Sequence, residues 1–147
     1  IEGEQKRTKN DIFYLGLALA KFENKISLDN IKEILSTTFL NLDFSNLVDV
    51  VFVGDGTYLD FKDKFVEIRP SGTDAKTKAY AGGLDKELLI KYANTLGNYN
   101  GETNETYRKY IDESFYNKVK EKSFKVYENY SIKDEDKRIF NIPNYTF

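Results

Sequence analysis

The apolar spacing of this chain changes character at Leu47, and that switch commits it to a fold that mixes helices with a sheet. Before it, Ile12, Leu15, Leu19 and Phe22 fall at helical spacing behind Asn10-Asp11, a candidate N-cap region. Phe13, Leu17 and Ala20 fill the neighbouring faces. A helix apolar on most sides needs cover all round, and the sequence expects a missing preceding domain to have supplied some of it. Ser27 is placed to cap a second helix with an Ile31, Ile34 and Leu35 stripe. From Leu47 the period is two: Val48, Val50 and Phe52 mark one face of a strand, Asp49, Val51 and Val53 the other. Gly54-Asp55-Gly56 turns the chain into Thr57–Phe61, and Lys62-Asp63-Lys64 turns it into Phe65–Arg69. Thr77–Ala81 reads as a fourth strand ended by Gly82-Gly83. A helix with Leu84, Leu88, Tyr92 and Leu96 on one side follows, stopped by Gly97.

The expected fold is α+β: a four-stranded, mainly antiparallel sheet with covering helices, N-terminal helices and a C-terminal helical extension. Residues 1–45 read as the helical end of a preceding domain plus a linker, 46–97 as the sheet domain, and 98–147 as the extension. In the extension Tyr107, Ile111, Phe115 and Val119, then Val126 and Tyr130, predict one long helix or two broken near Lys122-Ser123. Pro143 favours extended backbone at 139–147.

Composition removes several classes of chemistry. The 147 residues hold no cysteine and no histidine, so thiolate catalysis, disulfides and imidazole acid–base chemistry are outside this chain's means. A net charge of −2 and a pI near 5.3 argue against a nucleic-acid partner. No apolar run reaches the roughly 18–20 residues needed to span a bilayer, and the opening residues lack a signal-peptide core, so no membrane partner and a cytoplasmic setting are expected. The lack of methionine predicts a fragment or processed product of a longer chain. Asn-x-Ser/Thr matches at Asn104, Asn129 and Asn144 are what an asparagine-rich chain yields by chance. The tyrosines at 107–130 read as packing residues, with a stacking or protein-interaction surface as the rival reading.

The chemistry concentrates at 67–80, Glu-Ile-Arg-Pro-Ser-Gly-Thr-Asp-Ala-Lys-Thr-Lys-Ala-Tyr. Arg69 offers a planar fork of donors that suits a phosphate. Ser71 and Thr73 add hydroxyls, Gly72 lets the backbone approach closely, and Lys78 supplies a second cation from the next strand. Together they form a candidate anion site. A surface hairpin built from ordinary turn residues is the other reading of the same letters.

The Arg-Pro-Ser-Gly-Thr-Asp-Ala run resembles the phosphate-binding loop of the C-terminal domain of α-D-phosphohexomutases, the phosphoglucomutase/phosphomannomutase family, where Arg-Pro-Ser-Gly-Thr-Glu-Pro is usual. Asp74 replaces the glutamate, and Ala75 replaces the proline, which leaves the loop exit less rigid. The likeness extends more loosely over residues 9–96. It implies that Arg69, Ser71, Gly72, Thr73 and Lys78 hold the non-transferred phosphate of a hexose phosphate. It also implies an isomerase as parent, with Mg²⁺ and the reacting phosphoserine in N-terminal domains missing here. The family's phosphoserine loop needs a histidine this chain lacks. Gly54-Asp55-Gly56 lacks the flanking aspartates of the Mg²⁺ loop, and Gly3-Glu4-Gln5-Lys6 lacks the serine of the sugar loop. The fragment is therefore expected to hold no catalytic residue and no cofactor of its own. An amino-sugar phosphate mutase and a free-standing phosphosugar- or anion-binding module are the alternatives.

Overall fold

The fold comes from a computed structural model that describes residues 7–53, 56–70, 77–122 and 144–146. It is α+β, as expected. Helices α1 (Lys9–Phe22) and α2 (Leu28–Thr38) precede the strands β1 (Leu47–Val53), β2 (Gly56–Phe61), β3 (Lys64–Pro70) and β4 (Thr77–Gly83). Then come α3 (Lys86–Gly97), α4 (Glu105–Tyr110), α5 (Glu113–Lys122) and β5 (Asn144–Thr146). The strands pair in sequence order and every pairing is antiparallel, with β5 adding a short fifth strand beside β4.

Local rules place most ends. Thr8 caps α1 by accepting from the Asp11 amide, two residues before the expected Asn10-Asp11. Asn24, at φ 59, closes the helix in the left-handed conformation that asparagine tolerates. Ser27 caps α2 in a reciprocal box with Asn30. Asn104, one of the chance glycosylation matches, caps α4 through the Tyr107 amide.

Three expectations change. The β1 face is not Val48, Val50 and Phe52: pairing jumps from Leu47↔Phe61 to Asp49↔Asp60, a bulge that turns Val48 outward and buries Leu47 with Val50 and Phe52. Leu84 lies before α3 and is 84% exposed, so Leu89, Tyr92, Ala93 and Leu96 form the helix's buried face. The C-terminal stripe is divided between α4 and α5 by a break at Ile111-Asp112, where Asp112 accepts from the Phe115 amide; Val126 and Tyr130 lie outside the described residues.

One buried cluster draws on all three expected segments, from Phe13 through Phe61 and Ile68 to Tyr107 and Val119. The apolar surround of α1 is covered within this chain rather than by a missing domain. The sheet packs on one side, and Tyr107 stacks on Phe13 at 4.6 Å while its hydroxyl donates to the Phe13 carbonyl. Gly16 is the point of contact: a β-carbon there would collide with the Tyr107 hydroxyl, while the ring carbon behind it would be at 3.6 Å. Tyr14 donates to the Leu96 carbonyl, and Asn10 to the carbonyls of Leu96 and Tyr99, so α1 is pinned to the end of α3. Burying Tyr107, Phe115 and Val119 spends on the core most of the stripe that could have served a partner.

Candidate phosphate site

The β3–β4 ladder ends in two pairs, Arg69↔Lys78 and Pro70↔Thr77, and the chain between them carries the Ser-Gly-Thr segment. The two cations of the candidate site are thus directly opposite one another on adjacent strands. Ser71, Gly72 and Thr73, with Asp74 and Ala75, lie outside the described residues. Arg69 is partly buried and Lys78 exposed. Both belong to the sheet face opposite the one formed by Leu59, Phe61, Val66, Ile68, Ala79 and Ala81, which enters the core. Side chains so paired have β-carbons about 4.5–5.5 Å apart, and like charges at that spacing destabilise a sheet. An anion seated between them turns the repulsion into two attractions.

The base of the loop is fixed from outside the hairpin. Thr77 and Thr8 share a hydroxyl hydrogen bond of 2.7 Å across 69 residues of sequence. Thr8 is itself the α1 cap, and the adjoining Arg7–Asp11 ion pair, 2.8 Å long, is almost fully buried. Sequence reasoning missed Thr8. Its threonine-before-helix position announces a cap, but nothing local announces contact with Thr77. Tyr80 was missed as well: its ring centroid lies 5.9 Å from the Arg69 guanidinium carbon.

The same face carries acids. Glu67, two residues from Arg69, is buried opposite Tyr58, whose phenol is pushed above its usual range by burial, then by Asp60 and Glu67. Asp60 stands opposite Asp49, and its carboxyl is raised to about 6, first by burial and then by the Asp49 charge. Asp49 is held by the Lys21 ammonium at 2.6 Å.

A hollow of about 210 Å³ lies at the other end of the ladder, lined by residues that include Lys62, Asp63, Lys64, Leu84 and Leu88. Five residue steps along each strand, about 17 Å, separate Lys64 and Gly83 at that end from Arg69 and Lys78. Its Lys64 ammonium is committed to structure, 4.4 Å from the Phe61 ring, 4.3 Å from Tyr92 and 3.2 Å from Asp63. The candidate cations and this hollow are thus in different places, and charge rather than volume marks the candidate site.

Among the described residues no group of three or more Asp, Glu, His or Cys side chains is arranged to hold a metal ion. Among them, too, no helix is long and apolar enough to cross a membrane. No protein-family model matches the chain, and neither a curated protein nor a solved structure matches it.

Proposed function

We propose that this chain is the phosphate-gripping C-terminal part of a phosphohexomutase-type enzyme. The observation that carries the reading is the direct pairing of Arg69 with Lys78 at the base of the Ser-Gly-Thr segment. Two facing cations of different geometry, a fork and a point charge, suit a dianionic phosphate monoester better than a neutral or singly charged ligand. The likeness of residues 67–80 to the family loop supplies the rest. The parent would shift phosphate between the C1 and C6 oxygens of a hexose phosphate, and Arg69, Ser71, Gly72, Thr73 and Lys78 would hold the phosphate that is not being transferred. Binding energy gained there positions the reacting end of the sugar and helps exclude water as the domains close. Mg²⁺ and the phosphoserine belong in this reading to the preceding domains, and no step is assigned to a metal held by this chain. The setting is cytoplasmic, where sugar phosphates are found.

The test is an amide-resolved NMR titration with glucose 6-phosphate, glucose 1-phosphate and glucose. A loop without its partner domains binds at about millimolar strength. Shifts confined to Arg69–Lys78 with both phosphosugars and absent with glucose are expected. Equal shifts with glucose, or none at the loop, overturn the reading.

A free-standing phosphosugar-binding module is the second reading, favoured by the closure of the core around α1 within this chain. The two part on the coding sequence upstream of Ile1: a phosphoserine loop there excludes the module. The cation pair does not select among sugars, so an amino-sugar phosphate parent is separated by substrate competition in the assembled enzyme.

A further inference from the structure

We infer that Gly56 and Tyr80 are positioning residues for Arg69, one clearing the path of its aliphatic stem and the other carrying its guanidinium; the inference rests on the phosphate-clamp reading above. Gly56 opens β2 beside Arg69, one step beyond the Thr57↔Ile68 pair. A β-carbon built on Gly56 would overlap Arg69 Cγ and sit 2.5 Å from the Ile68 carbonyl oxygen and 3.3 Å from Arg69 Cα. The demand is for space, not for a left-handed φ, which among the described glycines Gly101 alone adopts. The stem of Arg69 therefore crosses the place a side chain at 56 would take. Any larger residue there must push the arginine aside or part β2 from β3.

The far end of the side chain is set from the other neighbour. Tyr80 lies on β4 diagonally across from Arg69, and its ring is within cation–π range of the guanidinium. A ring face engages the π surface of a guanidinium, and a bidentate acceptor engages its N–H edge, so the contact with Tyr80 and the grip on a phosphate use different parts of the same group. Lys78, directly opposite Arg69, then adds its charge from the flank. A long side chain already fixed in its binding pose loses less freedom when the anion arrives. Glycine at 56 and an aromatic ring at 80 are thus two halves of one device that aims Arg69, drawn from the strands on either side of β3.

The test uses the whole 147-residue chain with glucose 6-phosphate as probe, following affinity by NMR, thermal midpoint, and the Arg69 Nε–H resonance. Arg69→Ala should lose most binding. Tyr80→Leu should weaken binding about 3- to 10-fold and move the Arg69 Nε–H signal out of its ring-current position, while Tyr80→Phe retains both the affinity and the signal. Gly56→Ala should weaken binding at least as much and also lower the midpoint. If Arg69→Ala binds as the parent chain does, the clamp reading itself fails and this inference with it. If Arg69→Ala loses binding but folded Tyr80→Leu and Gly56→Ala do not, the clamp stands and the positioning role is overturned. Should Gly56→Ala fail to fold, the Leu and Phe variants at 80 decide alone.

Discussion

Two pairs of like charges face each other across this sheet, and they are treated differently. Asp49 and Asp60 are register partners on β1 and β2, and the chain supplies its own counter-ion there, Lys21 from the end of α1 at 2.6 Å. Arg69 and Lys78 are register partners on β3 and β4, and among the described residues no carboxylate forms an ion pair with Lys78. A like-charged pair is a cost in either place. Where the protein settles that cost internally, the pair serves the fold. Arg69 and Lys78 stand beside a polar loop, and in the phosphate-clamp reading an anion from outside adds to the relief of that cost.

The strongest way to break this contrast is to remove one cation. In the phosphohexomutase-type enzyme proposed as parent, Arg69→Ala should lower kcat/KM by roughly 30- to 1000-fold, about 2–4 kcal/mol, the scale for losing a charge-assisted bidentate contact. An unchanged kcat/KM would make the cations ornamental. Next in size is relief of the repulsion by ligand. With a dissociation constant of about 1 mM, about 10 mM glucose 6-phosphate stabilises the chain by about 1.4 kcal/mol, or about 4 °C in midpoint. The gain should vanish in Arg69→Ala and be absent with glucose.

The acidic pair predicts a pH signature. Folded Asp60 keeps its proton up to about pH 6, against about 3.9 in the unfolded chain. Between those values the native state binds more protons than the unfolded one, so stability falls as pH rises through the window. Asp60→Asn should therefore gain about 1 kcal/mol above pH 6, after allowance for screening at a partly exposed site, and nothing below about pH 4. A flat difference across pH in denaturation curves would refute it. Smallest is Lys21→Ala, expected to cost roughly 0.5 kcal/mol and to move the Asp60 titration upward, read by carboxyl NMR. An unmoved Asp60 would show that Lys21 does not balance this pair.

The sheet was legible because turn chemistry and period-two spacing lie within a few residues of each other. That Arg69 and Lys78 would come near one end of the sheet could be read from the hairpin, while their direct pairing is a matter of register that the spacing left open. What stayed hidden depends on residues far apart in sequence. The bulge at Val48 adds a residue without disturbing the run of valines, so alternation pointed to the wrong face. Gly56 read as half of a turn, when its lack of a side chain serves Arg69 on the adjacent strand. The contacts Lys21–Asp49, Tyr80–Arg69 and Thr8–Thr77 join elements whose approach is fixed by packing, which no local spacing encodes. The helix apolar on most sides was recognised as needing cover. That the cover is Tyr107, 94 residues on, could not be read from either segment.

That last contact has a bearing on descent. Gly16 sits inside α1, where glycine is about 1 kcal/mol worse than alanine, yet alanine cannot enter while the Tyr107 hydroxyl holds the space. Phenylalanine at 107 gives up the bond to the Phe13 carbonyl but leaves the nearest ring carbon at an ordinary 3.6 Å from a β-carbon at 16. The two substitutions are therefore accessible to a lineage in one order only, the ring first and the helix second, and the reverse path runs through a clash.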